Sequence, residues 1–254
     1  MSIVKISVVS YLNSIPFIYG IKNSGYIDGD YSLELDIPSV CAKKLITGDV
    51  DIGLIPVAVI PNLKYSEIIS DYCIGAVSKV RSVLLISNVP INKINTIYLD
   101  YQSRTSVMLV RILAYKFWNI KVKWENSNDK FDYNNFADDS GALIIGDKTF
   151  ELANKFNYVY DLAEQWIKYT QLPFVFACWI SNKKINSDFI NNFNLSLDYG
   201  INNLDKVIDD YLCSENKLNV NIKEYLTKNI SYKLDNKKRE GMKLFHKLSA
   251  ETCY

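Results

Sequence analysis

The run Ser103-Arg104-Thr105-Ser106 sets three hydroxyls and a guanidinium where an apolar stretch, Thr96 to Leu99, gives way to helical spacing. A helix start leaves backbone N–H groups unpaired and carries a partial positive charge, so hydroxyls there add donors for a carboxylate. Serine and threonine also open many helices that bind nothing, and on these four residues alone a plain cap is favoured. Arg104 can hold a second carboxylate or stand in solvent. Other strand-to-helix junctions carry similar groups. Ser10, Tyr11 and Asn13 follow the first apolar run, Ser39 the second, and Gly146-Asp147 the run Ala142 to Ile145; Arg81-Ser82 stand at the entry to another. Asn13 offers a neutral donor and acceptor, or the N-cap of a helix starting at Ser14. Asp147 can put a carboxylate in a cleft or cap a helix.

Groups for acid–base work are few. His246 is the one histidine among 254 residues, far in sequence from every junction above, so histidine-activated nucleophiles are not expected. Neither a metal-ligand spacing nor a glycine-rich phosphate loop occurs. Cys41, Cys73, Cys178, Cys213 and Cys253 are odd in number and scattered, which predicts free buried thiols in a reducing cytoplasm. Lys plus Arg number 29 and Asp plus Glu 28, so there is no basic footprint for nucleic acid. A bound anion would have to be held by local groups. The start, Met1 to Ile6, lacks a secretory n-region, and the longest apolar run, Ile52 to Ile60, is broken by Pro56. The expectation is a cytoplasmic protein with no membrane span.

The elements that must position these groups alternate strand and helix over the first two-thirds, an α/β pattern. Strands are expected at Ile3 to Val9, Tyr31 to Ile37, Asp51 to Ile55, Ser82 to Ser87, Thr96 to Leu99, Ala142 to Ile145 and Phe174 to Ile180. Pro38-Ser39 should open a helix with Ser39 as N-cap, and Gly48 should close it in the left-handed conformation. Val107, Val110, Leu113, Ala114 and Phe117 recur at helical spacing. Beyond Asn186 roughly four amphipathic helices are expected. The apolar segments Ser82 to Ser87 and Phe174 to Ile180 bracket a block of small-domain size. That suits a lobe of residues 85–177 inserted into a first lobe of residues 1–84 plus 178–254, with two strands crossing between them. A single doubly wound sheet fits the periodicity equally well.

Several motifs, in order, resemble one family. They are Ser10-Tyr11-Leu12-Asn13 with Pro16-Phe17; Arg81 to Ser87; Leu99-Asp100 with Ser103 to Ser106; Ala142 to Asp147; Asp161-Leu162 with Trp166; and Leu172 to Ala177 with Trp179. Together they resemble the chorismate dehydratase of the futalosine route to menaquinone, over about the first 180 residues and more loosely in the tail. The resemblance implies the type II periplasmic-binding-protein fold, two lobes joined by two crossing strands with the ligand cleft between them. It implies a cofactor-independent hydro-lyase that turns chorismate, a dicarboxylate, into 3-[(1-carboxyvinyl)oxy]benzoate and water. Proton loss from C3 and hydroxide loss from C4 would be driven by aromatisation, with the substrate's own enolpyruvyl carboxylate as base. Asn13 would then orient the substrate near the leaving hydroxyl. Ser103, Thr105 and Ser106, with Arg104 nearby, would bind a carboxylate; Arg81 and Ser82 would line the hinge. Ser39, Gly146 and Asp147 would line the walls, and Ser10 and Tyr11 would also bind the substrate. The rivals are the dihydroxynaphthoate synthase of the same pathway and a non-catalytic small-anion binder. Homodimerisation is left open.

Overall fold

The structure is a computed structural model and describes residues 3–27, 31–213 and 218–252. In chain order the strands and helices are β1 (Val4–Val9), α1 (Ile15–Asn23), β2 (Tyr31–Asp36), α2 (Pro38–Thr47), β3 (Ile52–Pro56), β4 (Glu67–Ala76), β5 (Val83–Ser87), β6 (Thr96–Leu99) and α3 (Arg104–Lys116). There follow β7 (Lys123–Asn126), β8 (Ser140–Ile145), α4 (Thr149–Leu152), β9 (Tyr158–Asp161), α5 (Leu162–Thr170), β10 (Phe174–Ser181) and α6 (Ser187–Asn202). The tail holds α7 (Leu204–Cys213), α8 (Ile222–Glu224), continued by one π-helical stretch (Tyr225–Asn229), then β11 (Ser231–Lys233) and α9 (Asn236–Thr252).

Two compact units result. The first comprises Met1–Gly75 and Val175–Asp235, the second Ala76–Phe174 and Asn236–Tyr254. The chain thus changes unit at the end of β4, the start of β10 and just before α9. A six-stranded sheet runs β11-β4-β10-β3-β1-β2 and a five-stranded sheet β7-β6-β8-β5-β9. In the first, β1 is parallel to β2 and β3, while β10 is antiparallel to β3. In the second, β6 is parallel to β7 and β8, and β5 is antiparallel to β8 and β9.

The strands β3, β5, β8 and β10 lie inside their sheets and are buried throughout, which is why their sequences are mostly apolar; β1, also internal, is buried from Ile6 onward and exposes Lys5. The segment expected to cross between lobes at Ser82 to Ser87 does not cross. It is β5, paired on both sides within the second sheet. The chain passes over at the carboxyl end of β4, a strand with no clean alternation and therefore unread in the sequence. The stripe on α3 holds for Val110, Leu113 and Ala114, whereas Val107 is half-buried and Phe117 is exposed.

Each unit has an aromatic centre. In the first, Phe17 packs edge-on to Trp179 and Tyr232 at centroid distances of 5.7 and 5.2 Å, and Trp179 meets Phe193 at 4.9 Å. In the second, Phe174 lies 5.2 Å from Trp166 and 5.3 Å from Phe245 of α9. Edge-to-face pairs of this kind add about 1 kcal/mol each to the burial of the rings.

Cys41, Cys73 and Cys178 are buried thiols in no disulfide, as expected, but Cys213, at the end of α7, is exposed. Cys253 lies outside the described residues. Among the described residues no helix is long and apolar enough to cross a membrane, and no cluster of His, Cys, Asp and Glu has metal-ligand spacing.

Candidate functional site

In the first unit the candidate residues sit beyond the carboxyl ends of β1 and β2, which run parallel side by side. The Ser10 N–H donates to the Asp36 carbonyl at 3.0 Å, extending the pairing one residue past the strands. Tyr11 is extended and leads into a 3-10 turn, Leu12–Ser14, that runs straight into α1. The turn is nailed down from below: the Ser14 hydroxyl is hydrogen-bonded to the Val9 carbonyl and to that of Tyr11, the latter at 2.7 Å. Asn13 is not the cap of α1, since Ser14 holds that place. Its own carbonyl accepts the Tyr232 hydroxyl at 2.9 Å. Burial drives the Tyr232 phenol well above its ordinary pKa, so it stays a donor.

With its backbone held on both sides, Asn13 carries an amide oxygen, Oδ1, that is buried and has no hydrogen-bond partner in the structure. An acceptor left so is unfavourable by about 1–3 kcal/mol, which a donor brought by a ligand would recover.

Ser39 does not cap α2. Ile37 is the cap residue, with φ −75° and ψ 156°, and Pro38 occupies the first helical position. A residue before proline is pushed into the extended region, which fixes the cap one residue ahead of Pro38 and leaves Ser39 inside the first turn. Gly48 closes the helix with φ 81°, as expected.

The candidates of the second unit gather at one end of its sheet, where the start of β5 pairs with the end of β8 and β6 runs parallel to β8. Ser103 caps α3: its Oγ accepts the Ser106 N–H at 3.1 Å and donates to the Ser106 hydroxyl at 2.8 Å. Ser103, Thr105 and Ser106 are buried, while Arg104 is exposed. Gly146 has φ 73°, a conformation that excludes most side chains, and its N–H donates to the Ser82 carbonyl at 2.9 Å. Asp147 does not cap the following helix; Lys148 stands in that place.

Arg81 also has a left-handed backbone, φ 62°, held by its N–H donating to Asp161 Oδ2 at 2.7 Å. The other Asp161 oxygen caps α5 through the N–H groups of Ala163 and Glu164, both at 3.1 Å. Burial raises the Asp161 carboxyl pKa, against the pull of those backbone donors. The strain at Arg81 is thus fixed by a carboxylate that does structural duty twice. The Arg81 side chain itself is exposed.

Three residues not singled out by spacing brace this end of the sheet. The Asp100 side chain is fully buried; its Oδ2 accepts Lys148 Nζ at 2.7 Å and the Tyr133 hydroxyl at 3.0 Å. Its Oδ1 accepts the Gln102 N–H at 2.8 Å. Lys148 also reaches the Tyr133 hydroxyl at 3.1 Å and sits 4.3 Å above that ring. Burial, then the Asp100 charge, pushes the Tyr133 phenol upward. Asp100 therefore ties the loop before Ser103 to the loop carrying Gly146-Asp147, and with three donors already on it, it is no free base. Asp100 lies in a motif already noted; Tyr133, in a polar stretch, gives no sequence signal.

The site residues thus form two groups, one in each unit: Ser10, Tyr11 and Asn13, with Ser39 beyond β2, and Arg81, Ser82, Ser103 to Ser106, Gly146 and Asp147. Both are rich in hydroxyl and amide groups and poor in free acids and bases. His246 lies on α9 and belongs to neither.

Comparison with known proteins agrees with this architecture. A family model described as "Menaquinone biosynthesis" matches residues 4–251. The chain superposes on AF1704 from Archaeoglobus fulgidus with a TM-score of 0.76 at 10% identity, covering 98% of this chain and 97% of the other. An ABC transporter protein from Parabacteroides distasonis gives 0.66 at 14% identity, with coverages of 99% and 93%. The periplasmic aliphatic sulphonate binding protein SsuA from Escherichia coli gives 0.61 at 15% identity, with coverages of 99% and 86%. At these identities the likeness is one of fold, and the fold is periplasmic-binding-protein-like.

Proposed function

Because this chain belongs to the menaquinone-biosynthesis family, we propose that it is a cytoplasmic chorismate dehydratase, forming 3-[(1-carboxyvinyl)oxy]benzoate and water without a cofactor. The observation that carries this reading is the orphaned Oδ1 of Asn13. A buried acceptor on a rigid turn suits a substrate hydroxyl, and the hydroxyl at C4 of chorismate is the group that leaves. Asn13 orients that hydroxyl. The Ser103–Ser106 turn, at the positive end of a 13-residue helix, takes a carboxylate. The proton at C3 goes to the substrate's own enolpyruvyl carboxylate, hydroxide departs from C4, and the ring becomes aromatic. Two of the site's carboxylic acids, Asp100 and Asp161, are already engaged by lysine, tyrosine or backbone donors, which supports a reaction whose base comes with the substrate.

The test is incubation of the protein with chorismate, followed by absorbance and mass for the aromatic product. Conversion is expected. Asn13→Ala should fold as the parent does and lose turnover by a factor of about 100 or more, the usual effect of removing an orienting group. Binding without conversion would instead mark a small-anion receptor, which the sulphonate-binding structural relatives favour. Indifference to chorismate would favour a different step of the same pathway, such as the dihydroxynaphthoate synthase.

A further inference from the structure

The carboxyl-terminal half of α3, the segment leading into β7 and the end of α9 line a cavity of about 500 Å³ inside the second unit. Its walls are of two kinds. Tyr115, Ile120, Val122 and Trp124 give it rings and aliphatic surface; Arg111 and Lys121 give it positive charge. The Arg111 guanidinium lies 5.5 Å from the centroid of the Trp124 ring. Its Nε is buried and has no hydrogen-bond partner. Among the described residues, neither Arg111 nor Lys121 is paired with a carboxylate. Glu251 stands at the same wall, but Lys116 Nζ holds it at 2.9 Å, and that contact lowers the Glu251 carboxyl pKa.

We propose that this cavity is a binding site for a small aromatic monocarboxylate, with the carboxylate on Arg111 and Lys121 and the ring against Trp124 and Tyr115. A guanidinium donor without an acceptor is unfavourable when buried, and a carboxylate matches its flat fork. The apolar half of the wall would be wasted on a bare inorganic ion, and the volume suits a ring with a short substituent. The ionised Glu251 repels a second negative charge, which selects a monoanion over a diphosphate or a dicarboxylate. Arg111 lies eight residues along the helix from Ser103, about 12 Å by helical rise, so the cavity is separate from the hydroxyl turn. The inference does not depend on the function proposed above.

Calorimetric titration of the whole protein with benzoate tests it, with acetate, benzylamine and phthalate as comparators. Benzoate should bind saturably, and each comparator more weakly by about tenfold, because each lacks the ring, has the wrong charge or adds a second charge. Arg111→Gln should weaken benzoate binding by about tenfold or more. Lys121→Gln, at the open rim where folding is not at stake, should weaken it severalfold. Asn13→Ala and Ser106→Ala should leave benzoate binding unchanged. The proposal is overturned if benzoate fails to saturate below about 10 mM, a free energy too small for a built site. It is overturned equally if Lys121→Gln and Arg111→Gln leave the affinity unchanged, or if Ser106→Ala removes it and so places benzoate at the hydroxyl turn.

Discussion

A serine that caps a helix and a serine that binds a ligand make different demands on one hydroxyl, and Ser103 illustrates the first. Its Oγ accepts the Ser106 N–H and donates to the Ser106 hydroxyl, so its single donor hydrogen is used within the turn. Ser103→Ala should therefore lower stability by about 1 kcal/mol through the lost cap. It should also raise KM for chorismate, as the turn loses its shape. Urea denaturation and steady-state kinetics would read the two effects separately. Cys41 gives a pH prediction. Burial is the chief cause that pushes its thiol up to about 12 from an ordinary 9.0. A folded pKa above the unfolded one means the group's contribution is intact below pH 9 and is lost as pH climbs from 9 toward 12. The slope is at most ~1.4 kcal/mol per pH unit. Cys41→Ala should flatten that alkaline decline, seen in urea midpoints of parent and variant at pH 8, 9 and 10. A variant curve parallel to the parent's would remove Cys41 from the account.

Helices α1 and α6 approach through two glycines, and the geometry leaves no room for a methyl. A Cβ on Gly200 would overlap the Pro16 carbonyl, and one on Gly20 the Ser196 carbonyl. Gly200→Ala should destabilise the first unit by about 3 kcal/mol or force the helices apart, since backbone atoms have no alternative rotamer. Thermal denaturation by circular dichroism would show it. Which elements could be read from the chain follows from the same physics. Strands buried on both faces, such as β3 with Ile52-Gly53-Leu54-Ile55, announce themselves as unbroken apolar runs. Strand β7 reads Lys-Trp-Glu-Asn at a sheet edge, and β9, also an edge strand, exposes Tyr158 and Val159; both draw most of their stabilisation from a neighbour that the local sequence does not mention. The site divides likewise. Ser103, Ser106 and Gly146 stand out in the sequence by their place just after apolar runs, and the structure shows a cap at Ser103 and a left-handed turn at Gly146. Tyr133 was not, because its role comes from meeting Asp100 and Lys148 across 33 and 15 residues of chain.

At the scale of the whole molecule, the last helix is part of the second unit rather than of the first. Phe245 lies among Trp166 and Phe174, and Gly241 lets α9 pass against the Pro173 carbonyl. Phe245→Ala should remove about 3–5 kcal/mol from the second unit. Trp166 emission should shift to the red as water reaches the vacated space. An unshifted spectrum with full stability would mean that α9 contributes little to that core.

That arrangement also sets an order of events at the ribosome. Domains close as units while the chain emerges. The first unit has all its residues once Asp235 has left the exit tunnel, although its two pieces flank the other in sequence. The second, whose strands were made earlier, must wait for the segment Asn236–Tyr254, which belongs to it. A chain that stops before Asn236 therefore has one finished half and one exposed half, which is the form that cellular proteases find soonest.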